Sequence, residues 1–412
     1  MGAGLCLPAG VWLPELPPGE QDLSSPALAA HQDGAWALAA STGLVDTGMH
    51  VRLQVYAKGA TTGMPWLQLS PPGLVANRMP SVASLQQGGW LVVWRAEDAQ
   101  NQTVAYFGAR VALDGQSLVG GVFPLNSTLL GYGESTGNGN VVAPVVLRLR
   151  DDALLAVWSG GAKGQGIQLG IYARRFDAKG QALGPEIDTG SVVPGQQAQS
   201  PGIAALTGGT AMVVWEIQPA GKKGDPFVQG RRINEAGQML GAPVALSPQV
   251  LEYEALPAVT GFADGSLLAT WKASQNKSAT SPVDVRAQRH FPDQVPAFKG
   301  KAHTLAYDAT GTYPYRASAA TLPDGRAVVA WHNASSQPHV LELSRYYPSV
   351  DAFDCAPTDV SGVLLPDETG PRYIPDVVGF ADGRILVAWH TAVANPNGVE
   401  TLGRVALRFF PW

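Results

Sequence analysis

The amino-acid sequence predicts an all-β fold made of seven similar four-stranded antiparallel units, and three observations support this. The segment 375–389 reads PDVVGFADGRILVAW, in which two apolar runs flank an Asp-Gly turn, as in a β-hairpin. Seven copies of this frame occur along the chain. Most copies are followed by a second pair of strand-like runs. Repeated four-stranded units of this size are typical of a seven-bladed β-propeller.

The repeated frame has a proline eight residues before the turn glycine and a tryptophan six residues after it. The copies begin near residues 26, 80, 144, 201, 257, 317 and 375. Some copies are imperfect, with Ala40 at the tryptophan position, Asp152 at the glycine position and Ala317 at the proline position. Because one such unit cannot bury its own faces alone, we expect a single propeller domain over residues 1–412.

The two ends of the chain together supply one blade. After Pro375 there is sequence for three strands only, the third over 400–410, whereas the third repeat continues to an outer strand over 181–187. The N-terminal segment Val11–Leu16 resembles that outer strand. We therefore expect residues 1–25 to complete blade seven beside the last strand, which would close the ring and leave no unpaired blade edge.

Composition limits the functional classes. The chain is 45% hydrophobic and 15% charged with a net charge of −5, which gives no support for nucleic-acid binding, since that needs a basic face. No apolar run is long enough for a transmembrane segment. Dinucleotide, Walker, zinc-protease and calcium-loop patterns are absent from the sequence, so we expect no cofactor and no metal.

Two segments carry a family resemblance. Pro201–Trp215 and Arg174–Gly184 follow the pattern Pro-x-Val/Ile-Ala, a glycine turn, Val-Val-Trp, then Arg-Arg-Phe-Asp-x-x-Gly-x-x-Leu-Gly. This pattern resembles the seven-bladed β-propeller repeats of exported bacterial proteins. The resemblance implies an exported protein, periplasmic, extracellular or on the cell surface, whose signal peptide is absent from the chain shown. It says little about activity, because one fold hosts many functions.

Candidate binding residues lie on the face formed by the variable b–c and d–a connections, where a to d denote the strands of a blade in chain order. Such loops on a rigid scaffold are where functional residues collect. We expect an aromatic and cationic ring at the channel mouth, with Glu254 beside it, that would suit an anionic ligand or a loop of a partner protein. Its members are Tyr253, Tyr313, Tyr315, Arg316, Arg372 and Tyr373.

Two histidines and two cysteines are further candidates. His332 and His390 each follow the tryptophan of adjacent repeats, so they could bind a ligand or move protons, or could simply be polar residues at a strand end. Within the expected fold, Cys6 and Cys355 fall on the outer rim of adjacent blades, where a disulfide would fasten the closing strand.

The sequence favours a non-enzymatic binding or assembly module that recognises a protein partner or a glycan through the variable face. One alternative is a polysaccharide hydrolase or lyase with its site at the channel mouth. It predicts titratable residues with shifted pKa values in one pocket. Another is a structural subunit of a cell-surface complex, which predicts a large apolar patch.

Overall fold

The computed structural model describes residues 11–20, 22–43, 48–71, 76–97, 103–126, 130–131, 143–160, 169–191, 193–219, 225–248, 253–274, 283–291, 302–308, 317–333, 340–360, 373–394 and 401–411. These residues form strands, turns and bends with no helix, so they contain no apolar helix of membrane-spanning length.

The strands form seven antiparallel sheets, one for each repeat, in which neighbours along the chain are hydrogen-bonded neighbours in the sheet. Blade 1 contains β1 (Leu23–Ala30), β2 (Trp36–Thr42), β3 (His50–Tyr56) and β4 (Leu67–Gln68). Blade 2 contains β5 (Ala76–Ser84), β6 (Trp90–Glu97), β7 (Thr103–Val111) and β8 (Leu118–Pro124), and β9 (Leu130–Gly131) also pairs with β7. Blade 3 contains β10 (Val145–Arg148), β11 (Leu154–Gly160), β12 (Gly170–Phe176) and β13 (Ile187–Asp188).

The remaining blades follow the same order. Blade 4 contains β14 (Gln196–Ala205), β15 (Ala211–Pro219), β16 (Phe227–Ile233) and β17 (Met239–Ala245). Blade 5 contains β18 (Tyr253–Gly261), β19 (Leu267–Ser274), β20 (Val283–His290) and β21 (His303–Asp308). Blade 6 contains β22 (Ser318–Thr321), β23 (Ala327–Asn333), β24 (Val340–Tyr347) and β25 (Ala352–Phe353), with β26 (Thr358–Asp359) also on β24. Blade 7 contains β27 (Tyr373–Gly379), β28 (Ile385–Ala394) and β29 (Thr401–Phe410).

The blades are arranged in a closed ring, which confirms the predicted seven-bladed β-propeller. Inner strands of successive blades contact one another from β1 through β27, and β27 contacts β1 again. Near the N-terminus, Trp12 exchanges both backbone hydrogen bonds with Leu407 of β29, each 3.0 Å long. The chain ends therefore meet in blade 7.

One predicted strand is shorter than expected. The outer strand of blade 3, predicted over 181–187, is reduced to a bridge between Phe176 and Ala182 and the two-residue β13. Residues 181–185 between them are exposed. Pro185 has no N–H to offer a neighbouring strand, and the ladder pairing resumes only at Ile187.

The core lies between the blades. The second strands are almost fully buried, as expected for strands covered on both faces. Each closing tryptophan packs against the preceding blade: Trp94 lies among blade 1 residues and Trp215 among blade 3 residues. All six are at most 1% exposed, namely Trp94, Trp158, Trp215, Trp271, Trp331 and Trp389. Their large apolar faces hold adjacent blades together.

The disk has two different faces. Since strands alternate in direction, the a–b and c–d turns share one face, here called the turn face. The b–c and d–a connections share the other face, here called the mouth face.

Candidate functional site

The inner strands of all seven blades enclose a central channel with a volume of about 890 Å³. Small residues such as Ala83 and Ala258 line it, whereas Ala204 of the same strand type is packed between blades 4 and 5. Asp376 also lines the channel, where it accepts hydrogen bonds from the backbone N–H of Leu28 and from Ser318 Oγ. The wall is thus mostly apolar with a few polar groups.

The mouth face is marked by a repeated backbone irregularity. The first strands of blades 1, 2, 4, 5 and 7 contain a β-bulge just before their proline. In four of them the residue before the proline has a positive φ of 50 to 56°. They are Ser25, Met79, Ser200 and Leu256. A residue before proline is disfavoured in helical regions, so these positions store local strain of the kind that clusters at functional sites.

A second repeated position lies on the second strand of each blade, at the mouth-face end where the first strand has its bulge. The residue after the closing tryptophan, or after Ala40 in blade 1, is of five different types in the seven blades, with serine and histidine each occurring twice. We call these residues the ring position, and they are Ser41, Arg95, Ser159, Glu216, Lys272, His332 and His390. In two cases the bulge of the next blade binds the ring residue directly, because Met79 N–H donates to Ser41 Oγ and Leu256 N–H donates to Glu216 Oε2, both at 3.2 Å.

Glu216 is the centre of a polar cluster between blades 4 and 5. Only 1% of it is exposed. Gln199 Nε2 donates to Oε1 at 2.8 Å, and Ser200 Oγ donates to Oε2 at 3.3 Å. Burial raises the pKa of Glu216, and these hydrogen bonds offset only part of that effect.

Lys272 is the charge partner of Glu216. Its side chain is half-buried, and this burial lowers its pKa while the charge of Glu216 opposes that change. Both shifts favour the neutral forms. The raised pKa of Glu216 keeps its carboxyl protonated to higher pH, and the lowered pKa of Lys272 lets its ammonium release a proton more easily. Opposite shifts in one cluster are typical of acid–base sites.

A second cluster lies between blades 7 and 1. Asp22 Oδ1 accepts a 2.5 Å hydrogen bond from Gly403 N–H, and burial nevertheless raises the pKa of Asp22. A side chain at Gly403 would collide with both Asp22 and His390, so the glycine permits their close approach. Burial lowers the pKa of His390 to about 4 and keeps its imidazole neutral.

The structure places only some of the predicted site residues. His332 is fully buried, and so is Glu254, which therefore does not lie on the open rim expected for it. Tyr253 and Tyr373 begin β18 and β27 at the mouth face, but their side chains are outside the described residues. Tyr313, Tyr315, Arg316 and Arg372 lie wholly outside them. The expected ring of tyrosines and arginines thus stays a prediction.

The predicted disulfide between Cys6 and Cys355 is likewise only partly covered by the described residues. Cys355 is exposed, whereas Cys6 lies outside the described residues, so their pairing stays a prediction. Within the described part of the chain there is no group of three or more His, Cys, Asp or Glu side chains that could hold a metal ion.

Sequence reasoning missed the residues of the blade 2–3 junction. Arg95 Nη2 and Arg78 Nη2 both contact Glu97 Oε1, at 2.6 and 2.5 Å. Residues two apart on a strand share a face, so the Arg-x-Glu spacing after Trp94 was a usable signal. The contribution of Arg78 depends on the bulge in β5 and had no such signal.

Comparisons with known proteins bear on the fold. No protein-family model and no curated protein matches the chain. A Dyadobacter fermentans protein of unknown function is 16% identical, with 81% of this chain and 95% of that chain covered and a TM-score of 0.52. The GH93 α-L-arabinofuranosidase of Fusarium graminearum is 11% identical, with 95% of each chain covered and a TM-score of 0.52. The polysaccharide lyase Uly1 is 11% identical, with 94% and 90% covered and a TM-score of 0.54.

At these identities the likeness shows the fold, and it corrects two predictions. The sequence favoured a non-enzymatic binding or assembly module and favoured no enzymatic activity. Both are wrong on this comparison, because two solved propellers that match over 94–95% of this chain are a glycosidase and a polysaccharide lyase. The sequence contains no recognisable catalytic motif, so nothing in it indicates an enzyme rather than a passive scaffold.

Proposed function

We propose that the chain is a carbohydrate-active enzyme, a hydrolase or lyase that acts on a polysaccharide at the mouth of the central channel. The observation that carries the proposal is the concentration of buried carboxyl groups on the mouth face. Among the described residues three carboxyl side chains are buried, Glu97, Glu216 and Glu254, and all three belong to this end of their blades. The enzymes that share the fold support the same reaction class.

The acid–base function is assigned to Glu216 and Lys272. Hydrolysis of a glycosidic bond needs a carboxyl with a raised pKa that protonates the leaving oxygen. Elimination next to a uronate needs a base that removes a proton, which an amine with a lowered pKa provides. Leu256, whose N–H holds Glu216, also lines the channel, so the pair lies directly behind the channel wall.

The proposal includes a location. An enzyme that degrades a polysaccharide meets its substrate outside the cytoplasm, which agrees with the resemblance of Pro201–Trp215 to repeats of exported bacterial proteins. We therefore propose an exported protein, with a glycan as its partner.

The test is an assay of the purified protein on a panel of neutral and acidic polysaccharides. New reducing ends report cleavage, and ultraviolet absorbance of an unsaturated uronate separates elimination from hydrolysis. We expect Glu216→Gln, which keeps size and hydrogen-bonding groups, to lower kcat by about 100-fold or more and to remove one limb of the pH profile. The matched control is Glu235→Gln, which makes the same change at an exposed turn-face residue and should leave the rate unchanged.

Full activity of the Glu216→Gln protein, at an unchanged pH profile, would remove Glu216 from the acid–base function. A wild-type protein that cleaves none of the polysaccharides would overturn the proposed activity itself.

A further inference from the structure

A row of glutamines leads from the buried carboxyl of Glu216 to the surface of the mouth face. In the ladder of β14 and β15, Gln199 is directly opposite Glu216 and Gln197 is directly opposite Gln218. Residues two apart on a strand, and residues opposite each other in a ladder, share one side of the sheet. Gln199 and Glu216 are buried, whereas Gln197 and Gln218, nearer the mouth face, are half-buried. Solvent access therefore begins at Gln197 and Gln218.

Hydrogen bonds connect Gln218 to the carboxyl of Glu216. Gln199 Nε2 donates to Glu216 Oε1 at 2.8 Å and to Gln218 Oε1 at 2.7 Å, so both N–H groups of the Gln199 amide are used. Gln218 is thereby held by its oxygen. Its Nε2, on the other arm of the amide, carries two N–H donors that no oxygen of the described residues accepts. The half-buried Gln218 thus presents an oriented pair of donors on the mouth face.

The fold does not require amides at these positions. In blade 5 the residue opposite the ring position is Ala255, and the residue two after the ring position is Ser274. In blade 7 the same two positions are Tyr373 and Ala392. Small or aromatic residues therefore satisfy the blade at these places. The linked pair in blade 4 has a purpose other than folding.

We propose that Gln218 binds an uncharged hydroxyl of the polysaccharide and is a specificity-determining residue of the Glu216 site. This inference rests on the proposed function, because it names the substrate chemistry of that same site. The N–H donors of an amide match the lone pairs of a hydroxyl oxygen. A carboxylate or sulfate is held best by a charged donor, whereas Gln218 is neutral and is fixed by the neutral Gln199. The sugar unit at Gln218 is therefore a neutral one.

The hydrogen bond from Gln199 makes this contact effective. A side chain that is already fixed loses little conformational entropy when a ligand binds, so more of the interaction energy appears as affinity. The same amide of Gln199 bonds both Gln218 and Glu216. A sugar unit on Gln218 is therefore placed at a set position relative to the proposed acid.

The test measures binding on the Glu216→Gln protein, so that cleavage does not interfere. Isothermal titration calorimetry would use hexasaccharides of arabinose, xylose and galactose as neutral probes and hexagalacturonate as the acidic probe. We expect at least one neutral probe to bind, with an affinity that changes little as salt is raised, because no charge is paired. Adding Gln218→Met, which keeps the length of the side chain and removes both N–H donors, should weaken that binding about fivefold to tenfold.

The matched control adds Gln238→Met on the turn face. Gln238 Oε1 likewise accepts an amide N–H, from Asn234 Nδ2 at 3.0 Å, so the same hydrogen bond is lost on the opposite face. This variant should bind the neutral probe as the parent does. Circular dichroism would verify that each variant folds, and Gln218→Asn, which keeps the amide on a shorter side chain, provides a second variant that should also weaken binding.

Three results overturn the inference. The first is equal affinity of the parent, Gln218→Met and Gln218→Asn for the neutral probe. The second is binding of hexagalacturonate alone, which would show a charged sugar unit at this site. The third is no binding of any probe.

This inference and the proposed function can fail separately. A wild-type protein that cleaves a polysaccharide while the Gln218 variants bind normally retains the proposed function and loses this subsite. A protein that binds a neutral probe through Gln218 and cleaves no polysaccharide retains the subsite and loses the proposed activity.

Discussion

The two faces of the disk use charged side chains in opposite ways. On the turn face, aspartates in the hairpin turns are exposed and are bound by residues of their own hairpin. Asp382 is typical, since hydrogen bonds from Arg384 lower its pKa. At Asp264 partial burial raises the pKa, but hydrogen bonds from Ser266 and the charge of Arg289 outweigh it and the pKa is lowered. These carboxylates are ionised and stabilise the turns that carry them.

On the mouth face, carboxyls are buried and their partners come from other strands or blades. Glu216 is bound by Gln199 of the neighbouring strand and by Leu256 of the next blade, and its pKa is raised. The fold does not require an ionisable group at this position, because Ser41 and Ser159 occupy it in other blades and are equally buried. Among the described residues the buried carboxyls, Glu97, Glu216 and Glu254, all lie on the mouth face. A buried carboxyl costs free energy, so this distribution points to function there.

The largest expected effect separates the two faces by stability. Glu97→Gln removes the buried carboxylate that the buried Arg95 and the half-buried Arg78 contact, and we expect the free energy of unfolding to fall by about 3–5 kcal/mol. The comparable change on the turn face, Asp382→Asn, removes an exposed pair and should cost about 0–1 kcal/mol. Urea denaturation of both variants measures the difference. Equal losses would contradict the contrast between the faces.

The next-largest expected effect is a loss of folding stability as the pH falls below 6.5. Burial lowers the folded-state pKa of His390 to about 4, below its ordinary value of 6.5, so its contribution to stability is present above pH 6.5 and is lost as pH falls toward 4. This loss amounts to about 3 kcal/mol, and His390→Gln should abolish it in urea titrations across that range. His290, at the turn-face end of β20, has its pKa lowered to the same value, so His290→Gln should remove a similar share.

We expect both variants to reduce the loss of stability in acid, which would show that the contrast between the two faces holds for carboxyls and not for histidines. If His390→Gln alone reduces this loss, the contrast between the faces extends to histidines.

The smallest expected effect is the slope of the free energy of unfolding against pH that Glu216 contributes. Because the folded-state pKa of Glu216 is raised above its unfolded value, its contribution to stability is present below about pH 4.5 and is lost as pH rises through the folded pKa. The slope is at most about 1.4 kcal/mol per pH unit for one proton, and Glu216→Gln should lack it. Asp382, with a lowered pKa, should behave oppositely and lose its contribution only as pH falls below about 3.8. A wild-type slope that survives in Glu216→Gln would assign it to another group.

Much of the fold was predictable because its determinants are local in sequence. Asp382-Gly383 sets a hairpin turn, and the alternation around it sets the strands. The ring residues Glu216 and Lys272 were visible as members of one position, but the sequence could not show that they share an electrostatic environment across adjacent blades. Glu254 was expected on the rim and is buried, because the start of β18 packs against blade 4, where Glu254 N–H donates to the Pro226 carbonyl.

By itself the sequence determined the repeat and the number of blades, since both follow from turn residues and apolar runs within one unit. Only the tertiary structure decided which side chains form a site. Arg78, Arg95 and Glu97 meet through a bulge that shifts the register of β5, and Glu216 meets Leu256 across two blades. Burial and the distances between charges depend on the closed ring, and those two quantities set the protonation and the binding chemistry of the mouth.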